Sequence, residues 1–419
     1  MQTYGQILNI AMPIFVLLFL IERFAAWRMK QEVMRDVDSI SSLSSGMTNV
    51  LKDVLGLTVS IITYGFMLEH FALYHIKTTW LAFLVAFIAV DFQGYWAHRF
   101  AHEINVLWNG HVIHHSSEEF NLSCALRQSI SVFVRYFTIL LLPAALLGVE
   151  KQVVMITLPL HLFLQYWYHT RLIGKMGFLE WFLVTPSHHR VHHAMNKEYM
   201  NRNYGQIFIF WDRWFGSFQE ELAEVPPVYG VTRPARTWNP LKINFQHLFL
   251  LIQDAWRTEN LWDKARIWFM PTGWRPEDVK KKYPIYSVKN KDVYVFEKYE
   301  TNPSVGLIVW SWTQLSVHYL LMAYFFAYFT EIGSPNVFIY GALVALGIYA
   351  YCELLDKNPY AMYWEGAKSL VFMVFIYLQK DWFGISTHFP WAIYLLLFYL
   401  FVSPIIVWNF NREQTLAVN

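Results

Sequence analysis

Long apolar stretches alternate with polar segments along this chain. About 20 apolar residues cross a bilayer as a helix, and tilt or flanking polar side chains allow somewhat fewer. On that scale the pattern predicts nine spanning helices, at 6–22, 52–69, 79–97, 131–149, 152–169, 304–329, 336–354, 367–380 and 389–410. The predicted fold is therefore all-α, a polytopic integral membrane helical bundle.

The composition supports the membrane assignment. Hydrophobic residues make up 55% of the chain and aromatic residues 19%, and the 19 Trp and 25 Tyr suit the belts at the membrane interfaces. The net charge of +2 gives no indication of nucleic-acid binding. The two cysteines form no CxxC pair, which argues against a disulfide framework. The first apolar stretch lacks a preceding basic residue and a cleavage site, so we expect a retained span.

The basic residues predict the orientation of the bundle. Loops rich in Lys and Arg stay on the cytoplasmic side. With the N-terminus outside, the segments predicted inside hold most of the 33 basic residues; they are 22–53, 97–130, 170–303, 355–366 and 411–419. Two of these segments are rich in histidine, so we expect a histidine site at the cytoplasmic side of a multi-pass membrane protein.

Segment 170–303 is the one sizeable stretch predicted outside the membrane. Its part "FQHLFLLIQDAWRTENLWDKARIWF" carries apolar residues at helical spacing, which fits a helix lying in the interface plane or a helix packed on the spans. The Pro, Gly and Lys content of "PTGWRPEDVKKKYPIY" predicts a solvated loop. We divide the chain into N-terminal spans, a histidine-box unit, a cytoplasmic or interfacial segment and C-terminal spans, at 1–78, 79–218, 219–303 and 304–419.

Histidines are concentrated in three spaced boxes. The first has the pattern HxxxH and the other two HxxHH; their members are His98 and His102, then His111, His114 and His115, then His189, His192 and His193. Residues three or four apart share one face of a helix, so each box can offer two or more imidazoles to one metal or to two adjacent metals. Imidazole suits Fe, Zn, Cu and Ni, which leaves the identity of the metal open.

Other interpretations of the boxes fit the sequence less well. Unpaired imidazoles clustered near hydrocarbon would be costly, which disfavours histidines that merely bond headgroups and backbone. No ExxH pair of a carboxylate di-iron site and no HExxH of a zinc protease occurs. A metal transporter would place its ligands near the midplane, often in repeated halves, and no repeat is evident. A zinc-dependent lipid hydrolase lacks a nucleophile motif here. The sequence thus predicts an all-histidine, dinuclear membrane site.

Two rows of polar residues approach the boxes along predicted helices. Asp91, Tyr95, His98 and His102 share one face, and an acid inside a span is a functional candidate. We expect Asp91 to accept an N–H from a ligating imidazole or, alternatively, to bond a neighbouring Tyr or Ser.

The second row is His161, Gln165 and His169. His169, nearest the predicted cytoplasmic edge, is a candidate ninth metal ligand, whereas the deeper His161 fits a buried hydrogen-bonded role. His188 adjoins the third box but points about 100° away from its neighbour, so its ligation stays open. The histidines that match no box are taken as structural: His70, His75, His247, His318 and His388.

The box pattern and its continuation resemble the fatty acid hydroxylase/sterol desaturase superfamily of integral-membrane di-iron oxygenases. The shared features are the three boxes and the following stretch "NRNYGQIFIFWDRWFGSF", with Asn203, Tyr204, Gly205, Trp211, Asp212, Arg213 and Gly216. The stretch "LQYWYHTRLIGKMGFLEWFLVTPSHHRVHH" and the extra C-terminal spans are most similar to the superfamily's ether-lipid monooxygenases.

The resemblance implies an enzyme in which the eight box histidines hold two iron ions that activate O2 to hydroxylate or dehydrogenate a lipid alkyl chain. In the ether-lipid branch it implies tetrahydrobiopterin as the external reductant, with Glu103 as the acidic residue that contributes to its binding. Sterol or fatty-acyl desaturases and hydroxylases of the same superfamily remain the alternative, and they would need a separate electron-donor protein. The substrate in either case is a membrane lipid.

Overall fold

The computed structural model describes residues 2–288 and 291–418, and these residues are mainly helical. The N-terminal half begins with two long helices, α1 and α2, and continues with a spanning helix, α4, between shorter elements. Its helices are α1 Gln2–Met29, α2 Asp36–Val54, α3 Tyr64–Phe71, α4 Trp80–Glu103, α5 Asn105–Trp108, α6 Val112–His115, α7 Leu142–Leu146, α8 Lys151–Phe163, α9 Pro186–His193 and α10 Phe210–Trp214. Two short strands, β1 Val59–Ser60 and β2 Val134–Arg135, pair in parallel.

The C-terminal half contains the remaining helices. They are α11 Pro240–Arg257, α12 Leu261–Arg266, α13 Glu277–Lys282, α14 Val305–Ala327, α15 Phe329–Ile332, α16 Asn336–Leu355, α17 Ala361–Gln379, α18 Ile385–His388 and α19 Ala392–Val418. Short 3-10 turns lie between the helices at Cys124–Leu126, Phe137–Leu141, Gly177–Trp181 and Val293–Val295.

Five helices among the described residues are long and apolar enough to cross a membrane. They are Ile7–Met29 of α1, α4, α14, α16 and Ala392–Arg412 of α19. Each coincides with a predicted span, so the membrane bundle is confirmed. The predicted number of nine spans is not confirmed.

The remaining four predicted spans are shorter, broken or more polar. Segment 52–69 contains the end of α2, strand β1 and the start of α3, and 131–149 contains β2, a 3-10 turn and α7. The parallel pairing of β1 with β2 joins these two segments to each other, an arrangement that hydropathy cannot reveal. Helix α8 has 13 residues, and α17 carries Glu365 and Lys368.

The C-terminal helices form the largest apolar core. Buried side chains of α14, α16, α17 and α19 pack together there, with Phe325, Val344, Tyr351, Phe372 and Leu400 fully buried. Helix α1 packs on α14, and α2 packs on both α14 and α16. The N-terminal half therefore rests on the C-terminal bundle through α1 and α2.

Helix α2 is an unexpected polar helix within this interior. The prediction placed its sequence in a cytoplasmic loop, yet most of its residues are buried, among them five serines: Ser39, Ser41, Ser42, Ser44 and Ser45. Some of these serines find partners, as where Ser44 lies 2.6 Å from the hydroxyl of Tyr351. The helix fills the space between the C-terminal bundle and the segment that follows the second histidine box.

Helix α11 is amphipathic, as predicted for "FQHLFLLIQDAWR". One face packs against α2, α5, α6 and α16, and the other exposes Phe249, Ile252 and Trp256. The packed face and the exposed apolar face together fit a helix at the membrane interface. The loop predicted to follow it contains the short helix α13.

Candidate metal centre

Nine histidines come together in two adjoining groups. The five-histidine group comprises His98, His102, His111, His115 and His192; the four-histidine group comprises His114, His169, His189 and His193. Within each group the candidate ligand nitrogens all lie within 4.8 Å of one another. The groups touch, because the rings of His115 and His193 stack with their centroids 4.3 Å apart. The structure thus brings all eight box histidines together with His169.

The two HxxHH boxes are divided between the groups in opposite ways. The outer pair of the second box, His111 and His115, belongs to the five-histidine group, and the outer pair of the third box, His189 and His193, belongs to the other. The inner histidine of each box joins the opposite group. Positions four apart share a helix face, whereas adjacent positions point about 100° apart. An HxxHH box at the junction of two sites therefore serves both.

Backbone carbonyls orient four of the imidazoles. The Nδ1–H groups of His98 and His192 donate to the carbonyl oxygens of Tyr204 and Arg202, at 2.8 and 2.9 Å. Those of His114 and His169 donate to the carbonyls of Arg127 and Gln165, at 3.2 and 3.0 Å. A carbonyl can only accept, so in each ring the proton lies on Nδ1 and Nε2 presents a lone pair.

The lone pairs of different rings face each other at short range. The Nε2 atoms of His114 and His169 are 3.4 Å apart, and both rings carry their proton on Nδ1. The Nε2 atoms of His169 and His189 are 2.9 Å apart. Two nitrogens bound to one metal at about 2.1 Å lie roughly 3 to 3.4 Å from each other. The spacing fits a cation between the rings.

Unpartnered nitrogens give the same indication. Nε2 of His102, Nε2 of His192 and Nδ1 of His189 are buried without a hydrogen-bond partner among the described residues. Buried polar atoms are normally paired because an unpaired one costs about 1 to 3 kcal/mol. A metal ion in the five-histidine group would satisfy Nε2 of His102 and Nε2 of His192, whereas Nδ1 of His189 is the ring nitrogen opposite the one that faces His169 and His193.

Burial favours the neutral form that ligation requires. It lowers the pKa of His114 to about 3 and holds the pKa values of His189 and His193 well below their usual range. Neighbouring imidazoles act in the same direction, because a charge on one ring disfavours a charge on the next. The rings therefore present lone pairs at neutral pH.

A turn after the third box fixes the carbonyl that holds His98. The carboxylate of Asp212 accepts from the backbone N–H groups of Tyr204 and Gly205, both at 2.7 Å, and from Ser217. A Cβ at Gly205 would lie 2.8 Å from the same carboxylate, so glycine is required there. Asp212 thereby sets the position of the carbonyl of Tyr204.

A buried ion pair supports the other group. Arg127, whose carbonyl orients His114, donates from its guanidinium to Asp38 of α2 at 2.9 Å and to Ser42 and Ser116. Both charged side chains are almost fully buried. Helix α2 thus anchors the segment that carries the second box.

The role predicted for Asp91 needs correction. Asp91 accepts from an imidazole, but the donor is Nε2 of His161 at 2.7 Å, and His161 belongs to neither group. Its oxygens also accept from the N–H groups of Ile207 and Phe208 and from Nε1 of Trp211. Asp91 therefore holds the loop that leads out of the third box, and His161 is buried and hydrogen-bonded as predicted.

The remaining histidines lie outside both groups. His188 points away from His189: its ring packs on Phe218, and its Nδ1 lies 3.4 Å from the backbone nitrogen of Thr185. His247 and His318 bond the carbonyls of Asn105 and Gln314. The two groups likewise exclude His70, His75 and His388.

Glu103 lies at the edge of the five-histidine group. It follows His102 at the end of α4, is partly exposed, and pairs with Arg99 at 3.0 Å. The guanidinium of Arg99 lies over the ring of Tyr204, 5.9 Å from its centroid, and that ring contacts His98, His102 and His192. The structure thus places a carboxylate, a guanidinium and an aromatic ring beside this group.

A cavity of about 940 Å³ is lined both by the apolar helix α1 and by histidines of the two groups. Its wall includes apolar side chains of α1 and α8 and five of the nine clustered histidines, namely Ile7, Ile10, Ile14, Leu162 and Phe163, with His98, His111, His114, His169 and His189. The volume suits a lipid-sized ligand. The arrangement can admit an apolar chain and bring it against both groups.

Comparison with known proteins agrees with this geometry. The family model described as fatty acid hydroxylase matches residues 83–217, which contain all nine histidines. Human alkylglycerol monooxygenase is 33% identical over 375 residues, covering 87% of this chain and 81% of the relative. The chain belongs to the alkylglycerol monooxygenase family.

Other members of the alkylglycerol monooxygenase family match over shorter regions. The Xenopus tropicalis protein is 37% identical over 267 residues, covering 62% of this chain and 58% of the relative. The Danio rerio protein is 38% identical over 279 residues, covering 64% of this chain and 60% of the relative. No solved structure matches the chain. Membership of this family, the apolar spans and the histidine groups identify a multi-pass membrane lipid monooxygenase.

Proposed function

We propose that the chain is a di-iron, O2-dependent monooxygenase that hydroxylates a lipid alkyl chain and cleaves alkylglycerol ethers. The observation that carries the proposal is the pair of histidine groups, members of which line a cavity together with apolar side chains of α1. The similarity to alkylglycerol monooxygenases supports the choice of substrate. Iron is the metal that the superfamily resemblance implies, since imidazole alone accepts several metals.

The nine histidines would hold the two irons, one ion in each group. Bound iron would supply the activation of O2, and the chain's own residues position the lipid and keep bulk water away from the oxidant. The carbonyls of Tyr204, Arg202, Arg127 and Gln165 hold the rings in place. The apolar side chains of α1 and α8 surround the alkyl chain.

Ether cleavage follows from hydroxylation at one carbon. One oxygen atom of O2 is inserted into the C–H bond next to the ether oxygen, and the other leaves as water with two electrons and two protons from the reductant. The resulting hemiacetal breaks its C–O bond to give a fatty aldehyde and glycerol. The enzyme therefore needs to present the first carbon of the alkyl chain to the metal centre.

The reductant proposed is tetrahydrobiopterin, bound beside Glu103. The carboxylate of Glu103 can accept N–H groups of a planar heterocycle, and the partly exposed guanidinium of Arg99 offers a face for stacking. The histidine site of the proposed catalytic unit 79–218 and the reductant are proposed to lie at the cytoplasmic side of the membrane, where the basic loops were predicted. A separate electron donor would be expected if the pterin fails to support turnover.

The test is turnover by purified protein supplied with 1-O-hexadecylglycerol, O2 and tetrahydrobiopterin. The proposal predicts hexadecanal, dependent on O2 and on iron, with an ¹⁸O label from ¹⁸O2 in the aldehyde when its exchange with water is prevented by trapping. An alkene or a chain-hydroxylated sterol or acyl product would favour the other members of the superfamily. Metal uptake into vesicles without an oxygenated product would instead favour transport.

A further inference from the structure

Two glutamines interrupt the cavity wall beside the histidine groups. Gln165 precedes His169 by four residues, and its carbonyl oxygen accepts from Nδ1 of that histidine. Gln206 lies against α4 at Gly94, one helical turn before His98. Both glutamines line the cavity together with His98 and His169. Two amide side chains therefore lie in the same cavity wall as the candidate metal ligands.

A row of hydrogen bonds determines how these amides are oriented. Nε2–H of His161 donates to Asp91, so Nδ1 of His161 can only accept. The amide nitrogen of Gln165 lies 3.0 Å from that Nδ1, 3.2 Å from the carbonyl oxygen of His161 and 3.4 Å from Oε1 of Gln206, and its two N–H groups are shared among these acceptors. Oε1 of Gln206 is thereby engaged as an acceptor. The amide NH2 of Gln206 is the donor end directed away from this row.

The position of Gln206 requires the glycine beneath it. A Cβ at Gly94 would lie 1.9 Å from Oε1 of Gln206 and 2.5 Å from its amide carbon. Any side chain at Gly94 would displace the amide from α4. Glycine in the interior of a helix costs about 1 kcal/mol relative to alanine, so the space it leaves has a structural use.

We propose that Gln206, oriented by Asp91, His161 and Gln165, donates its amide N–H to the ether oxygen of the lipid and so selects the carbon that is presented to the metal centre. The inference rests on the proposed function, because it concerns the substrate of that site. An ether oxygen only accepts, which matches a neutral donor. The reacting carbon is bonded to that oxygen, so a donor beside the histidines holds the correct carbon in reach.

A hydrogen-bond donor at this position distinguishes an ether lipid from a lipid of the same length that lacks the ether oxygen. An analogue in which a methylene group replaces the ether oxygen keeps the length and both hydroxyls but offers the half-buried amide no acceptor. Sites built around a hydrogen bond reject such analogues, because the unpaired group is costly. One hydrogen bond corresponds to roughly threefold to tenfold in affinity.

The experiment measures equilibrium binding of isotopically labelled 1-O-hexadecylglycerol and of its methylene analogue to the iron-loaded protein, anaerobically and without reductant. The wild type is expected to bind the ether about threefold to tenfold more tightly. Gln206→Met, of equal length, and Gly94→Ala, which displaces the amide, are expected to bind both lipids equally. Gln128→Leu is the matched control, since Gln128 lines the cavity but donates to the carbonyl of Ala125.

Equal affinities in the wild type, or an ether preference retained by Gln206→Met, would overturn the inference. The iron content shows whether each variant keeps its metal centre. If Gly94→Ala loses iron, the inference is judged by comparing the ether preference of Gln206→Met with that of Gln128→Leu. Since no turnover is required, failure of the proposed reaction shows separately, as an absence of aldehyde from the wild type under O2 and reductant.

Discussion

His114 and His115 are consecutive in the chain, yet their imidazoles belong to different histidine groups. His114 lies with His169 and His193, whereas His115 lies with His102 and His192. The same division occurs at His192 and His193. Because adjacent helical residues point about 100° apart, a doubled histidine at the junction of two sites can offer one ring to each metal.

This division predicts that neighbouring substitutions remove different irons. We expect His114→Ala and His115→Ala each to lower the iron content from about two to about one or fewer per chain, because each removes a ligand from one group. In ⁵⁷Fe-loaded protein, the iron that remains should give different Mössbauer parameters in the two variants.

The control for this prediction is His188→Ala. His188 adjoins the ligand candidate His189 but packs on Phe218, so its loss should leave the iron content unchanged. It should cost about 1 to 3 kcal/mol of stability, because a hydrogen bond at the start of α9 is lost and space is left beside Phe218. Identical spectra for His114→Ala and His115→Ala would contradict two separate metal positions.

Asp91→Asn should destabilise the loop that supports the metal centre. The carboxylate accepts hydrogen bonds from His161, Ile207, Phe208 and Trp211 in a fully buried position. The NH2 group of asparagine would face one or more of the N–H groups that now donate to the carboxylate. Such a clash of two donors costs about 1 to 3 kcal/mol. Thermal unfolding in detergent would show a lower midpoint, together with faster loss of iron to a chelator. If Asp91→Asn unfolded at the same midpoint as the wild type, the stability of the loop would not depend on the negative charge of Asp91.

Glu103→Gln tests the proposed pterin site. We expect the KM for tetrahydrobiopterin to rise about tenfold with iron content unchanged, because the variant loses charge-assisted hydrogen bonds to the reductant. Glu277→Gln, at an exposed position of α13, serves as the control and should leave this KM unaltered. An unchanged KM in Glu103→Gln would remove Glu103 from the reductant site.

Lys368 and Glu365 form a buried ion pair in the C-terminal bundle, which gives a prediction about stability. Lys368 also donates to Gln314 and Tyr399, at 3.1 and 2.8 Å, and Glu365 accepts from Lys368 and Ser403. Lys368→Met leaves the carboxylate without its cation and should cost about 3 to 5 kcal/mol.

The double variant Glu365→Gln/Lys368→Met distinguishes pairing from loss of packing. It should recover part of the stability lost in Lys368→Met, since no uncompensated charge remains. The measurement is a double-mutant cycle of thermal unfolding in detergent. Strictly additive losses would show that the two charges do not depend on each other.

The membrane bundle and the nine candidate ligands could be predicted from the sequence because both depend on local patterns. Hydropathy over about 20 residues identified α1, α4, α14, α16 and α19. The spacing of the boxes, and the helical row ending at His169, picked out the imidazoles that the structure brings together. Spacings of three and four determine which residues share a helix face whatever the remainder of the fold.

Features that depend on contacts between distant segments could not be predicted in this way. The parallel pairing of Val59–Ser60 with Val134–Arg135 breaks two predicted spans, and no hydropathy window contains both strands. The carbonyls of Arg127 and Tyr204 orient ligands, but every residue has a carbonyl, so no residue type marks them. The run of serines in α2 was the one available signal for a buried polar helix.

The central claim is that each histidine group holds one iron. The most direct measurement is anomalous diffraction from crystals of the anaerobically purified protein, collected on both sides of the iron absorption edge. Two iron peaks are expected, one within the five-histidine group and one within the four-histidine group. A single peak, or metal peaks whose anomalous signal does not change across the iron edge, would contradict the claim.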